Sequence, residues 1–287
     1  MLRLMRYKLL FFVLSTLVIL PGLFFLLTSG LKLGIDFTGG ALLEYQFKKE
    51  VSKDELAKYG SITPSLDSTY IIRTKPIEHD QLNNLKKELS LKFGDFEVKR
   101  EENVGPVIGE ELKKKAVIGL LLACVMIVLY IAYAFRSVPK STSSWRFGIA
   151  AIVALIHDIL VVVGLFAIFG KFFNVEVDIL FVTALLTIIG FSVHDTIVVF
   201  DRIRENLPKY LNKNFSDVAD ISITQTLARS LNTSLTVVFV LLSLLLFGGE
   251  TIKWFVVALL VGIISGTYSS IFNATALLAW WEERLGH

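Results

Sequence analysis

Apolar residues dominate six stretches of the chain, each near the 20 or so residues that a helix needs to cross a hydrocarbon core of about 30 Å. They run from Leu9 to Thr28, Ala116 to Phe135, Phe147 to Phe169, Ile179 to Phe200, Asn232 to Phe247 and Trp254 to Ala279. Between the first two, the pattern changes to short mixed elements. It predicts a strand over Ala41 to Phe47, a helix over Ser52 to Tyr59, a strand over Thr69 to Thr74, a helix over Glu78 to Phe93 and a strand over Phe96 to Val104. Ser52 followed by Glu55 has the spacing of a capping box, and Gly94 is placed to stop the second helix. The order suggests a split βαβ or ferredoxin-like module, with a fourth strand within Gly60 to Ser68.

The polar positions divide the chain further. Residues 1–29 hold the amino-terminal tail and first span, 30–115 a small α+β domain, and 116–287 the remaining five spans. Within the last part, 201–231 alternates Asp217, Asp220, Gln225 and Arg229 with Val218, Ile221, Ile223 and Leu227, the pattern of an amphipathic helix on the membrane surface. It is expected to deliver Arg229 to the mouth of the fifth span. The first span follows Arg3, Arg6 and Lys8, as a secretory signal would. Its apolar run exceeds the usual core of about 7 to 15 residues, so it is expected to stay as an anchor.

Composition agrees: 54% of residues are hydrophobic and 19% charged, more apolar than soluble proteins. The net charge of +3 points to no nucleic-acid partner, and the lone cysteine, Cys124, permits no internal disulfide. Basic residues in short segments orient a membrane protein. Arg3, Arg6 and Lys8, then Arg136, Lys140 and Arg146, then Arg202, Arg204, Lys209, Lys213 and Arg229 share one side of a six-span arrangement, against Lys171 and Lys253 opposite. Both termini are therefore expected in the cytoplasm and the 30–115 domain outside the cytoplasmic membrane. Lys113, Lys114 and Lys115 run against this bias, at the end of a long translocated segment.

Candidate chemistry centres on GFSVHDTIVVFDRIREN, Gly190 to Asn206. An ionised Asp at mid-bilayer costs about 2.5 to 3.5 kcal/mol on insertion scales, so Asp195 is expected to face the bundle interior and to act there as a proton site. On a helix, His194 shares a row with Thr183, Thr187, Gly190 and Asp201, and Asp195 shares one with Ala184, Ile188, Ser192 and Arg202. The third span repeats the theme with His157 and Asp158. The other histidines are His79 and His287. Each of these groups also has a purely structural reading, as a helix-pairing carboxylate or a packed imidazole, and Asp201, Arg202, Arg204 and Glu205 have one as a positive-inside anchor. The fifth span places Arg229, Asn232, Thr236 and Ser243 near one face, and the sixth carries a stripe of Gly262, Gly266, Ser269 and Asn273 with GxxxG spacing. Both faces are expected to pack on the third and fourth spans. With no HExxH spacing, metal cluster or Walker loop in the chain, neither a metal, a cofactor nor direct ATP use is expected, and the chain reads as a transport component, not an enzyme.

Four segments, in this order and at these intervals, carry a resemblance: GIDFTGG (Gly34 to Gly40), VGPVIGEEL (Val104 to Leu112), VHDTIVVFDRIREN (Val193 to Asn206) and LARSLNTSLT (Leu227 to Thr236). The chain resembles the SecF type of the SecD/SecF family of protein-export membrane proteins, in the RND superfamily, over nearly its whole length. The resemblance implies an α-helical bundle of six transmembrane helices, an RND-like half, with a ferredoxin-like extracytoplasmic domain. It implies a partner, SecD, and work beside the SecYEG channel and its SecA motor, with YajC or YidC as further candidates. An unfolded secretory polypeptide would be the substrate, membrane lipids the surroundings and the proton-motive force the energy source. In the family, the residues matching Asp195 and Arg229 are tied to proton passage, while Asn also occurs at the position of His194. Gly34, Asp36, Gly39, Gly40, Gly105, Pro106 and Gly109 fall in the motifs that flank the exported domain. Two other readings fit the same features: a passive scaffold for SecD and the channel, and a half-size RND exporter of small molecules.

Overall fold

A computed structural model describes residues 3–65, 67–136 and 144–284. Lys140 and His287 lie outside the described residues. The elements in chain order are helix α1 (Lys8–Ser29), the single turn α2 (Ile35–Thr38), strand β1 (Gly40–Phe47), the turn α3 (Lys53–Leu56), β2 (Ser61–Pro64), β3 (Thr69–Thr74), α4 (His79–Phe93), β4 (Phe96–Val104), α5 (Pro106–Ala134), α6 (Ser144–Phe173), α7 (Ile179–Asn206), α8 (Phe215–Phe247), α9 (Glu250–Tyr268), a π-helical segment (Ser269–Ala274) and α10 (Thr275–Arg284). Six helices among the described residues are long and apolar enough to span a membrane, the last built from α9, the π segment and α10 together.

The chain divides into two compact units. One comprises Leu33–Ile118 with Glu176–Ile179. Its sheet is antiparallel throughout, in the order β2-β3-β1-β4, and the sequence βαββαβ is that of the ferredoxin-like fold. The fourth strand does lie in the stretch expected for it. Alternation puts Leu43, Tyr45, Phe47, Ile62, Tyr70 and Ile72 on one face, where Leu56 and Leu89 of the helices close the core. The Tyr45 hydroxyl donates to Glu101 at 2.8 Å, and Lys86 pairs with the same carboxylate at 2.7 Å. The expected capping box does not form. Ser52 is the N-cap of α3, but its side chain makes no capping bond, because α3 is one turn that passes straight into a 3-10 turn. Gly94 closes α4 as expected, at φ 84° with its N–H on the Ser90 carbonyl.

The other unit comprises Met1–Lys32, Gly119–Val175 and Leu180–His287. Phe135, Phe147 and Phe200 meet with ring centroids 5.3 to 5.9 Å apart, joining the ends of α5, α6 and α7. Gly22 of α1 and Gly164 of α6 touch backbone to backbone: a methyl group built on either would come within 2.8 Å of the other's Cα. Such close approach is how small residues hold membrane helices together.

Two expectations about the spans are corrected. The 201–231 stretch is not a separate surface helix. Residues to Asn206 continue α7, and the amphipathic part from Phe215 is the beginning of α8, which runs unbroken to Phe247. Its polar residues are absorbed in local bonds: Asp220 is buried and accepts the N–H groups of Leu4 (2.9 Å) and Met5 (3.0 Å), and Asn206 donates to Ser222 and Gln225. Likewise Lys113, Lys114 and Lys115 belong to α5, one helix from Pro106, where Lys115 pairs with Glu111 at 2.8 Å.

Candidate functional site

The two rows of the fourth span separate as far as Asp195, while Asp201 and Arg202 at their ends are both half-buried. Ala184, Ile188, Ser192 and Asp195 are buried, whereas Thr183, Thr187, Gly190 and His194 are exposed. Asp158 and Asp195 both point into the bundle, at 0% and 2% exposure.

Their surroundings differ. Asp158 accepts from Ser192 at 2.5 Å and Ser269 at 2.7 Å on Oδ2, and from Ser265 at 3.3 Å on Oδ1, where His157 Nδ1 also lies at 3.0 Å. Three hydroxyl donors and the imidazole edge thus surround this carboxylate. Serines from α7, α9 and the π segment thereby converge on α6. Gly266 makes room, since a side chain there would press on Ser192 and Asp158. The same π segment sends Ser270 to Thr196 (2.8 Å) and Asn273 to Ser15 (2.6 Å), so its polar side chains reach α6, α7 and α1 in turn. A π turn inside an α-helix is a frequent mark of a functional site.

Asp195 sits beside Ser234 of α8 and Thr267 of α9, which bond to one another at 2.6 Å. Its Oδ2 is buried with no hydrogen-bond partner, and Ser230 Oγ, one turn before Ser234, is also unpartnered. Buried polar atoms are satisfied in the great majority of cases, so two orphans in one hydroxyl-lined place are a signal in themselves.

Arg229 does not meet Asp195. It is exposed on α8 and, among the described residues, forms no ion pair. The expected packing of Asn232, Thr236 and Ser243 against the third and fourth spans is likewise corrected: these three are exposed, and the face of α8 turned inward is Ser230, Ser234 and Leu241. Three members of the stripe of the last span pack as expected, Gly262 against Ile188, Gly266 and Ser269 against Asp158, while the fourth, Asn273, turns to Ser15 of α1 instead. Asp201–Arg204 and Arg202–Glu205 form i,i+3 pairs at 2.6 and 2.8 Å, and Arg202 also donates to Gln225 at 2.6 Å, so this motif joins the end of α7 to α8.

The motif residues of the inserted unit cohere. Gly34 donates its N–H to the Val177 carbonyl (2.8 Å), and Asp36 accepts the N–H of Ile179 (2.9 Å). Gly39 has φ 73° and Gly40 φ 147°, and a methyl on Gly109 would lie 2.9 Å from the Gly39 nitrogen. The turn before β1 thus packs on the first turn of α5, where Gly105 and Pro106 end β4 and start the helix. Reading the sequence by spans missed Ser265, Ser270, Ser230, Ser234, Thr267 and the Arg146–Glu282 pair. Hydroxyls spaced three or four apart on the last two spans were the available signal.

Together, six spans, a βαββαβ domain after the first of them and carboxylates held at the centre of the bundle define a multi-pass membrane transport subunit. Residues 84–284 match the family described as protein export membrane protein SecD/SecF, C-terminal, and residues 24–51 match the SecD/SecF GG motif. The chain is 47% identical to the protein translocase subunit SecF of Thermobaculum terrenum, covering 99% of this chain and 95% of that one. It is 42% identical to the SecF subunit of Anaerolinea thermophila, over 99% and 95%. The crystal structure of SecDF, a translocon-associated membrane protein from Thermus thermophilus, superposes with a TM-score of 0.85 at 32% identity, over 98% of this chain and 38% of that one. The chain belongs to the SecD/SecF family of protein export membrane proteins, and its relatives are SecF translocase subunits.

Proposed function

We propose that this chain pairs with SecD and uses the proton-motive force to help secreted polypeptides cross the cytoplasmic membrane beside the SecYEG channel, its SecA motor and YajC or YidC. The observation that carries the reading is Asp195, buried at 2% exposure with one carboxylate oxygen unpartnered. A neutral acid is far cheaper to keep in the membrane than its anion, so gain and loss of a proton there changes which packing of α7, α8 and α9 is favoured. Moving one charge through the membrane potential supplies about 2.3 kcal/mol per 100 mV.

The remaining residues take graded roles. Arg229 and His194 lie on exposed faces, where a polar row is costly against lipid and favourable against partner helices. They are the groups through which SecD would meet the proton site. Asp158 and His157, tied into the serine cluster, hold α6 to the last span while Asp195 titrates. The bias of basic residues in the short segments supports an orientation with both termini in the cytoplasm and the inserted domain outside, where it would meet the moving chain.

The test is export by inverted vesicles holding the chain with its SecD partner. Asp195→Asn leaves insertion intact and abolishes the stimulation by a proton gradient. Arg229→Met is expected to behave similarly. Gradient-stimulated export at the wild-type rate in the Asp195 variant would remove that residue from the mechanism.

A further inference from the structure

Helix α1 lies against α6 and the last span. Beyond the Gly22–Gly164 contact, toward the end that carries both termini, a groove of about 530 Å³ separates these helices. Its walls are Leu9 and Phe12 of α1, Val153 and Ile156 of α6, and Leu277 and Trp280 of α10. The polar side chains in its lining are partly spent on one another and on the bundle: His157 Nδ1 lies against Asp158 and Asn273 donates to Ser15, while His157 Nε2 and Asn273 Oδ1 are buried without a partner. What the groove presents is mainly hydrocarbon.

Its mouth is different in kind. Trp280 stands at the end of the groove, an amphipathic ring of the type that marks the membrane interface. One turn further, the Arg284 guanidinium lies 4.2 Å over that ring. In the 3-10 turn Met5–Tyr7 that leads into α1, Arg6 is exposed three residues before Leu9. Among the described residues neither arginine has an acidic partner, because the acids nearby are already engaged. Glu283 binds Lys8 and Ser216, and Glu282 binds Arg146. Two uncompensated cations thus flank an apolar slot at interface depth.

We propose that this groove binds one anionic phospholipid of the leaflet level with the chain's termini, its acyl chain between α1, α6 and α10 and its headgroup between Arg6 and Arg284. An apolar slot between membrane helices with cations at the interface end matches the amphipathic make-up of an acyl chain carrying a charged headgroup. Basic sites between helices at this level attract anionic headgroups, each cation contributing about a factor of five in affinity. Charge therefore selects phosphatidylglycerol over phosphatidylethanolamine of the same acyl composition.

The full-length protein in detergent, titrated with each lipid in turn and followed by native mass spectrometry, tests this. Wild type is expected to retain one phosphatidylglycerol and to hold it more tightly than phosphatidylethanolamine. Arg6→Gln with Arg284→Gln weakens phosphatidylglycerol by about thirtyfold and leaves phosphatidylethanolamine unchanged. Val153→Trp, at a position 47% exposed on the groove wall, weakens both lipids. Ile156→Trp, at 50% exposure on the same wall, serves if the first filled variant does not fold. Equal affinity for the two lipids in wild type would overturn the proposal. So would wild-type phosphatidylglycerol affinity in the arginine variant or in a folded groove-filled variant.

Discussion

Asp158 and Asp195 stand in similar phrases, IHDILVVVG and VHDTIVVFD, on α6 and α7, yet the side chains around them give them different work. Asp158 accepts from three serine hydroxyls of other helices, with the imidazole edge of His157 beside them. Interhelical hydrogen bonds in membranes contribute about 0.6 to 2 kcal/mol. Ser269→Ala should accordingly lower thermal stability in detergent by about 1 kcal/mol, and Asp158→Ala by more, since three hydroxyls lose their acceptor. Unfolding midpoints unchanged in both would show that the cluster holds nothing. Asp195→Asn, by contrast, keeps shape and removes only an oxygen that is already unpartnered, so the midpoint should hold while coupling fails. In the inserted domain, Tyr45 provides a titration of another kind. Burial first, then the hydrogen bond to Glu101 and its charge, raise the Tyr45 hydroxyl pKa above its ordinary value. The unfolded phenol ionises near pH 10, so the stability this group contributes is complete below about pH 10 and is lost as pH rises beyond it. Alkaline melting of the domain, followed by its tyrosine absorbance and circular dichroism, should begin there and shift upward in Tyr45→Phe. An identical alkaline profile in the variant would contradict the assignment.

At the scale of elements, the ends of the helices carry most of the polar joinery. Arg146 at the start of α6 meets Glu282 of α10 at 2.6 Å, with the carboxylate fully buried. Removing one member of a buried pair strands the other, at about 3 to 5 kcal/mol. Glu282→Ala should therefore unfold in detergent at a much lower temperature than wild type, and a loss under 1 kcal/mol would mean the pair is solvated. The elements themselves were legible in the sequence wherever one period ran without competition. β3 and β4 were read residue for residue and the first, third, fourth and sixth spans to within about two turns, whereas α5 and α8 begin well before the apolar runs that mark them; Gly94 ended α4 for the reason its conformation demands. Two kinds of feature were not legible. Capping depends on the helix beyond the cap, and α3 is too short to use the Ser52 hydroxyl. A change from surface helix to span leaves no break in periodicity, so α8 absorbed the amphipathic stretch, whose Asp220 accepts the N–H groups of Leu4 and Met5 ahead of α1. The π segment escaped for the same reason: its bonds to three helices exist only once those helices are in place.

For the whole molecule, the informative quantity is what remains unsatisfied. The exposed row of Thr187, Gly190 and His194 and the exposed Arg229, Asn232 and Thr236 would be costly against lipid, and the proposed SecD partner would cover them. The pairing of Arg229 with Asp195 within one chain was the part of the site that the sequence suggested and the structure does not contain. A residue's helix and depth can be read from a sequence, but whether it turns toward its own bundle or a neighbour's depends on packing. The central claim is that Asp195 carries the coupling proton, and proton flux into vesicles holding this chain with SecD, engaged in export, measures it most directly. Flux that accompanies export in the wild type and vanishes in Asp195→Asn, with the variant inserted and still bound to SecD, is the predicted result; undiminished flux in that variant would contradict it.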